Sequence, residues 1–270
     1  MPKDFRFGVG LLPKESRAAW QEAARRIEDL GYDIVHVPDH LDAPAPLLSL
    51  LAAAEVTTIR LGTFVLNAGF YKPALLARDV AALDMLSDGR FELGLGTGYV
   101  QEEFEAAELP FPSAGRRVDY LEHTTAYMKE HLSNVPVLIA GSGDRVLTIA
   151  ARRADIIGIA GGRPDRTDSL GERIEFVRRA AGDRLDELEL NLAIIAVPRD
   201  GSGVPSLTLA RRYAPDLPDE VLMKHPGVLS GSPRDMADAL RHHRDTYGLT
   251  YFTVQEHHAA SFSKVIAELR

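Results

Sequence analysis

Cysteine is absent from all 270 residues of the chain. Disulfide bonds, thiolate metal sites and cysteine nucleophiles are therefore excluded. The sequence also contains no HExxH and no GxSxG motif, which argues against zinc-dependent hydrolysis and serine acyl transfer. His257 and His258 are adjacent, and we expect neighbouring side chains in a strand or loop to point apart and to chelate poorly. His242 and His243 fall inside a predicted helix, so we predict no metal site.

Basic residues are in the minority, with 31 Lys and Arg against 39 Asp and Glu and a formal net charge of −8. A nucleic-acid-binding protein needs a basic surface, so this class is not favoured. No apolar run approaches the length of a membrane span. The opening MPKDFRFGVGLL lacks the basic and apolar regions of a secretory signal. We expect a cytoplasmic protein whose partner is a small molecule, not a nucleic acid or a membrane.

Short apolar runs alternate with helical stretches along the whole chain. We predict eight strands, at 5–12, 32–37, 59–66, 91–98, 136–140, 155–160, 188–197 and 251–255. We predict helices over 15–30, 46–57, 73–87, 102–107, 116–131, 144–153, 167–181, 233–247 and 262–269, with an irregular stretch at 198–231. Near-continuous apolar strands are typical of parallel sheets covered on both faces.

Eight strand–helix units in a chain of this length indicate an α/β fold, a single (β/α)8 TIM barrel over residues 1–270, because such barrels typically need about 250 residues. The competing doubly wound sheet predicts a GxGxxG turn after the first strand. The sequence reads PKES at that point. No repeat or linker divides the chain.

Chemistry is expected at the carboxyl ends of the strands, where barrel active sites lie. VHVPDH ends the second strand and delivers Asp39 and His40 to this rim. AGSGD runs from the fifth strand into a helix, whose N-terminus can bind an anion, and AGGRP follows the next strand. The two loops favour a phosphate site, although glycines are also common in tight turns. The glycines of GLGTG lie inside the fourth strand and allow a flat ligand or a neighbouring backbone to approach closely.

Taken together, EDLGYDIVHVPDH, LGTFVLNAGFYKPALLARDVAALDMLSDGRFELGLGTGY and PVLIAGSGDRVLTIAARRADII resemble the luciferase-like monooxygenase superfamily. Within it, the resemblance is to the oxidoreductases that use the deazaflavin coenzyme F420. It implies a barrel with the ring across its mouth, a ribityl phosphate on the two glycine-rich loops, and a cis peptide at Phe64–Val65 behind the ring.

The resemblance also implies the roles of individual residues. His40 and Asp39 are the expected catalytic pair beside the reactive carbon, where His40 either donates a proton or only holds the ligand. The expected cofactor-binding residues are Asp39, Phe64, Val65, Asn67, Thr97, Gly98, Ala140, Gly141, Ser142, Gly143, Gly161 and Gly162. The expected substrate pocket comprises Leu12, Tyr99 and His257.

The chain departs from the family pattern in four respects. The segment between the fourth and fifth strands, 99–135, is short, so a more open pocket or closure by a partner subunit of a homodimer is expected. Tyr99 stands where sugar-phosphate-oxidising members carry a glutamate, and the aromatic residue that some members place just after the histidine is missing. The stretch 198–231 differs most from the family pattern and is a candidate lid over the mouth.

Three functions remain open. The first is hydride transfer between coenzyme F420 and a small, neutral or hydrophobic organic substrate. The second is hydroxylation by reduced FMN and oxygen on the same fold. The third is flavin binding without turnover, against which the Asp39–His40 pair argues.

Overall fold

A computed structural model gives the structure of the protein and describes residues 4–13, 16–159 and 169–270. Within these ranges the strands are β1 (Arg6–Gly10), β2 (Ile34–Val37), β3 (Arg60–Thr63), β4 (Leu66–Asn67), β5 (Phe91–Gly96), β6 (Val137–Gly141), β7 (Ile156–Ile159), β8 (Glu189–Ile194) and β9 (Leu249–Gln255). The α-helices are α1 (Arg17–Asp29), α2 (Pro46–Ala54), α3 (Pro73–Leu86), α4 (Gln101–Ala106), α5 (Ala114–His131), α6 (Asp144–Arg153), α7 (Ser169–Ala181), α8 (Thr208–Tyr213), α9 (Asp219–Leu222), α10 (Pro233–Tyr247) and α11 (Ala259–Leu269). Short 3-10 turns lie at Ala68–Phe70, Gly182–Glu187 and Glu256–His258.

The strands form one parallel sheet that closes on itself. The order is β3-β2-β1-β9-β8-β7-β6-β5-β4, and β3 also pairs with β5 through Leu61 beside Phe91. β4 continues the path of β3 and pairs with β5 nearer the carboxyl end of β5. β3 and β4 together therefore occupy one strand position of the barrel. The result is an eight-stranded closed barrel with helices around it, which confirms the predicted (β/α)8 fold.

The third predicted strand, 59–66, is interrupted. β3 stops at Thr63, β4 starts at Leu66, and the Phe64–Val65 peptide bond between them is cis, at the position that the resemblance implied. The glycines of β5 lie against this interruption. A Cβ on Gly94 would stand 1.9 Å from the Thr63 carbonyl oxygen, so these glycines admit the neighbouring backbone, one of the two alternatives that the sequence left open.

Several predicted strands are longer than the hydrogen-bonded ones. The runs 5–12, 32–37, 91–98 and 188–197 shorten to β1, β2, β5 and β8. The apolar pattern continues past the ladder because residues beyond it are still buried, among them Leu11 and Val197. The stretch 198–231, predicted to be irregular, contains α8 and α9. They pack on a small cluster of Ala196, Ala210, Leu222 and Val228.

Described side chains inside the barrel form two layers toward its amino end. Ion pairs join Arg6 to Glu92 and Glu189, and Arg60 to Glu92, and all four residues lie at or near the amino ends of their strands. Above them lies an apolar layer of Ile34, Leu138, Ile156 and Tyr251. Among the described residues, these side chains fill the interior of the barrel from its amino end. None of the described helices has the length and apolarity to cross a membrane.

Candidate functional site

Asp39 follows β2 and ties it to the chain that leaves the cis peptide. Its Oδ2 accepts a hydrogen bond from the Asn67 N–H at 3.0 Å, and the Tyr71 hydroxyl donates a second one. Burial raises the pKa of the Asp39 carboxyl, and the hydrogen bonds from Asn67 and Tyr71 counter part of that effect. Burial, followed by the Asp39 charge, raises the pKa of Tyr71. Asp39 therefore fixes the relative positions of two strand ends.

His40 points to a different partner. Its Nδ1 lies 2.9 Å from Oε1 of Glu103 on α4, and the Glu103 side chain is only 17% exposed. The His40 side chain is 40% exposed, and its Nε2 makes no hydrogen bond within the described part of the chain. If Nδ1–H donates to the carboxylate, Nε2 carries the lone pair. The pair is thus an oriented imidazole with one nitrogen available for proton transfer.

Glu103 was not among the residues predicted from the sequence. The available signal was the short acidic helix immediately after the fourth strand, which places carboxylates at the carboxyl rim. Tyr71, the second partner of Asp39, was also missed, and no sequence pattern distinguishes it.

Phe64, Val65, Thr97 and Gly98 lie together at one side of the mouth, and all four are partly buried. Gly98 has φ 66° and contacts Asn67, since a Cβ there would lie 2.2 Å from the Asn67 Oδ1. Its carbonyl oxygen accepts a hydrogen bond from the Arg117 Nε at 2.9 Å. The loop after β5 is therefore held in place from both sides.

The predicted phosphate loop is open to a ligand. β6 ends at Gly141 and α6 starts at Asp144, with Gly143 at the N-cap and no side-chain hydrogen bond to cap the helix. Ser142 and Gly143 are exposed, Ala140 and Gly141 are half-buried, and a Cβ on Gly143 would meet no atom within 4 Å. The first N–H groups of a helix without such a cap are free to bind an anion.

The negative charge beside this loop is compensated. The Asp144 carboxylate accepts a hydrogen bond from Arg173 Nη1 at 2.6 Å. This ion pair offsets the repulsion that an acidic residue in the first turn would exert on a phosphate. Gly161 and Gly162, the predicted second half of the phosphate site, lie outside the described residues.

The predicted pocket residues stand at the rim. Leu12 is 53% exposed and Tyr99 is 77% exposed, so both offer apolar surface there. His257 is also exposed. The expectation that His257 and His258 point apart was wrong, because they lie in a 3-10 turn with ring centroids 4.0 Å apart. Among the residues that the structure describes, no group of three or more potential ligands could hold a metal ion.

A closed parallel barrel whose polar side chains gather at the carboxyl ends of its strands has the layout of a TIM-barrel enzyme. Residues 4–122 match the model of the luciferase-like monooxygenase family. This part of the chain is therefore similar to members of that family.

Individual relatives extend the comparison. An uncharacterized protein of Mycobacterium tuberculosis is 31% identical over 157 residues, which are 50% of this chain and 54% of that protein. The chain thus matches about half the length of this relative. The 5,10-methylenetetrahydromethanopterin reductase of Methanopyrus kandleri is 24% identical over 95% of this chain and 84% of its own.

Solved structures share the fold over the full chain. The coenzyme F420 dependent tetrahydromethanopterin reductase from Methanopyrus kandleri superposes with a TM-score of 0.76, covering 99% of this chain and 100% of that one at 18% identity. A riboflavin lyase in complex with modified FMN and riboflavin superposes with a TM-score of 0.77, covering 99% and 92% at 17% identity.

Proposed function

We propose that the protein is an oxidoreductase that transfers a hydride between coenzyme F420 and a small, neutral or hydrophobic organic substrate. The observation that carries the proposal is the His40–Glu103 pair, an oriented imidazole at the barrel mouth. The similarity to an F420-dependent reductase over nearly the whole chain supports the choice of cofactor.

The residues at the mouth fit a flat ring with a phosphate-bearing side chain. At the end of β1, a Cβ on Gly10 would meet only the Val254 carbonyl oxygen, at 3.8 Å, so bare backbone leaves room there for a planar group. Across the mouth, Phe64, Val65 and Asn67 would form the wall behind the ring. Ser142 and Gly143 would hold the phosphate at the start of α6. When bound, the deazaflavin supplies the carbon that accepts or gives the hydride.

His40 handles the proton that accompanies the hydride. In the oxidation of an alcohol, Nε2 would accept the hydroxyl proton as the hydride leaves the carbon that bears the hydroxyl group. In the reverse direction, Nε2 would return that proton. Glu103 holds the imidazole in the tautomer that this requires. Asp39 acts through the backbone of Asn67 and keeps the wall in register with the end of β2. Leu12 and Tyr99 offer apolar contacts to the substrate.

Equilibrium binding of oxidised F420 and of FMN to the purified protein, followed by visible absorbance, tests the proposal. We expect F420 to bind and His40→Ala to retain this affinity within several-fold, while single-turnover hydride transfer slows about 100-fold or more. Tight FMN binding without F420 binding contradicts the choice of cofactor. An unchanged single-turnover rate in His40→Ala removes His40 from the chemistry.

A second function shares the same site. The structural likeness to a riboflavin lyase that holds modified FMN favours an FMN-dependent monooxygenase as the alternative. The discriminating measurement is oxygen consumption with reduced FMN and candidate substrates. Oxygen-dependent product formation without any F420-dependent turnover would replace the first proposal by this one.

The protein is further proposed to be a homodimer. Exposed apolar side chains lie on the adjacent helices α2 and α3, namely Leu48, Leu75, Met85 and Leu86. A second copy that covers this face would remove them from water. Size-exclusion chromatography with light scattering decides the point, with Met85→Glu expected to shift the protein to a monomer.

A further inference from the structure

His36 is a buried imidazole directly beneath the aromatic wall of the mouth. It lies on β2, points into the barrel and is 1% exposed. Its ring stacks on that of Phe64, with centroids 5.0 Å apart and planes inclined by 17°. Phe64 is only partly buried, so one face of its ring rests on His36 while the residue borders the mouth.

The imidazole is fixed by a single hydrogen bond. The Tyr251 hydroxyl lies 2.8 Å from His36 Nε2. These two atoms share one hydrogen bond, and the tautomer of the imidazole sets which of them donates. His36 Nδ1 is fully buried and has no partner within the described residues.

His36 cannot serve as an acid or base near neutral pH. Burial, and then the charge of Arg6, lowers its pKa to about 3. The groups that face it are the Tyr251 hydroxyl and, below, Arg6, whose guanidinium lies 4.4 Å from the Tyr251 ring centroid. Arg6 is neutralised in turn by Glu92 and Glu189. A neutral, immobile ring is suited to support a neighbour and not to exchange protons.

Glycines on the flanking strands leave space for this ring and no more. A Cβ on Gly8 of β1 would lie 2.9 Å from His36 Cε1, and a Cβ on Gly62 of β3 would lie 2.8 Å from Cδ2. The imidazole therefore fills the width between the two strands. Together with the hydrogen bond between His36 and Tyr251, this packing prevents the ring from tilting away from Phe64.

We propose that His36 is a positioning residue for the cofactor, which acts by holding Phe64 from below so that the wall behind the bound ring keeps its orientation. The proposal rests on the proposed function, since it requires a flat cofactor against Phe64. Four side chains carry the effect in sequence, from Arg6 through Tyr251 and His36 to Phe64. The charged floor of the barrel is thereby coupled mechanically to its mouth.

The test compares three variants by titration with F420 and with FMN. His36→Leu removes the aromatic face, and Tyr251→Phe removes only the hydroxyl that orients it. Val35→Ala is the matched control, because Val35 is equally buried on the same strand but packs toward the helices. From the value of an aromatic pair, we expect His36→Leu to weaken cofactor binding about 10-fold and Tyr251→Phe by about 3-fold.

Two readouts separate positioning from general loss of stability. We expect Val35→Ala to lower the melting temperature without changing cofactor affinity, and only the His36 and Tyr251 variants to shift the visible absorption band of the bound cofactor. Unchanged affinity and spectrum in Tyr251→Phe and His36→Leu overturn the inference and leave the proposed function intact. If the wild type binds neither cofactor, the proposed function fails and this inference with it. Should His36→Leu not fold, Tyr251→Phe alone decides.

Discussion

Two fully buried histidines should make the protein sensitive to acid. His36 and His258 are 1% and 2% exposed. Burial, and then Arg6, lowers the pKa of His36 to about 3. Burial, and then the neighbouring His257, lowers the pKa of His258 to about 4. Both values lie below the ordinary histidine pKa of 6.5.

The direction of the effect follows from proton linkage. Below pH 6.5 the unfolded chain takes up protons at these two residues while the folded protein does not, so acid favours unfolding. The stabilisation is fully present above pH 6.5 and is lost as the pH falls toward the folded-state values. Asp39 works in the opposite direction, because burial raises its pKa and its contribution to stability is lost as the pH rises through that value.

The magnitude can be worked out per residue. Each unit of pH below the unfolded pKa costs about 1.4 kcal/mol per histidine that stays neutral in the folded state. At about pH 5 this amounts to about 2 kcal/mol for each residue and about 4 kcal/mol for the pair. Total stabilities of folded proteins are about 5–15 kcal/mol, so the loss is a large fraction of the whole.

Urea denaturation between pH 8 and pH 5 measures this loss directly. We expect the free energy of unfolding of His36→Leu to fall by about 2 kcal/mol less over this range than that of the wild type. Val35→Ala is the control, since it lowers stability by a similar amount at every pH. If wild type and His36→Leu lose the same free energy between pH 8 and pH 5, the reasoning about His36 is refuted.

Two further predictions concern the mouth and the barrel wall. Glu103→Gln removes the charge that holds His40 and lets either tautomer form, so single-turnover hydride transfer should slow about 10–100-fold with cofactor affinity within several-fold; a wild-type rate would show that His40 needs no partner. Gly94→Ala places a methyl group 1.9 Å from the Thr63 carbonyl oxygen and should destabilise the fold by about 3 kcal/mol or more, measured by urea denaturation. Gly143→Ala, where a Cβ meets nothing within 4 Å, is the stability control, and equal stability of the two variants would contradict the argument.

The architecture was accessible from the sequence because each strand is buried on both faces and reads as a continuous apolar run. The same property hides which residues point inward. In IVHV of β2, all four residues are buried, and nothing in the run distinguishes His36, which faces the barrel axis, from Val35 and Val37, which face the helices. The only local signals were Gly8 and Gly62, whose missing side chains make room for the imidazole.

The placement of Asp39 and His40 at the carboxyl rim was also predictable, but their partners were not. Glu103 lies 63 positions after His40 and reaches it only because α4 begins five residues after β5 ends and turns back over the mouth. Tyr71 reaches Asp39 only because the chain after β4 makes a 3-10 turn over Ala68–Phe70. Periodicity carries no information on the direction that a loop takes, so contacts of this kind emerge only from the folded chain.

Asp39 and His40, which follow β2, differ in their contacts because Asp39 is enclosed and His40 is not. Asp39 is committed to Asn67 and Tyr71, and its burial favours the uncharged form, so it is better suited to joining strand ends than to exchanging protons with a substrate. His40 stands at the rim with one nitrogen held by Glu103 and the other open. Because β2, the segment after β4 and α4 meet at these contacts, displacement of any one of them changes where Nε2 points. The orientation of the His40 imidazole therefore depends on the register of the barrel strands.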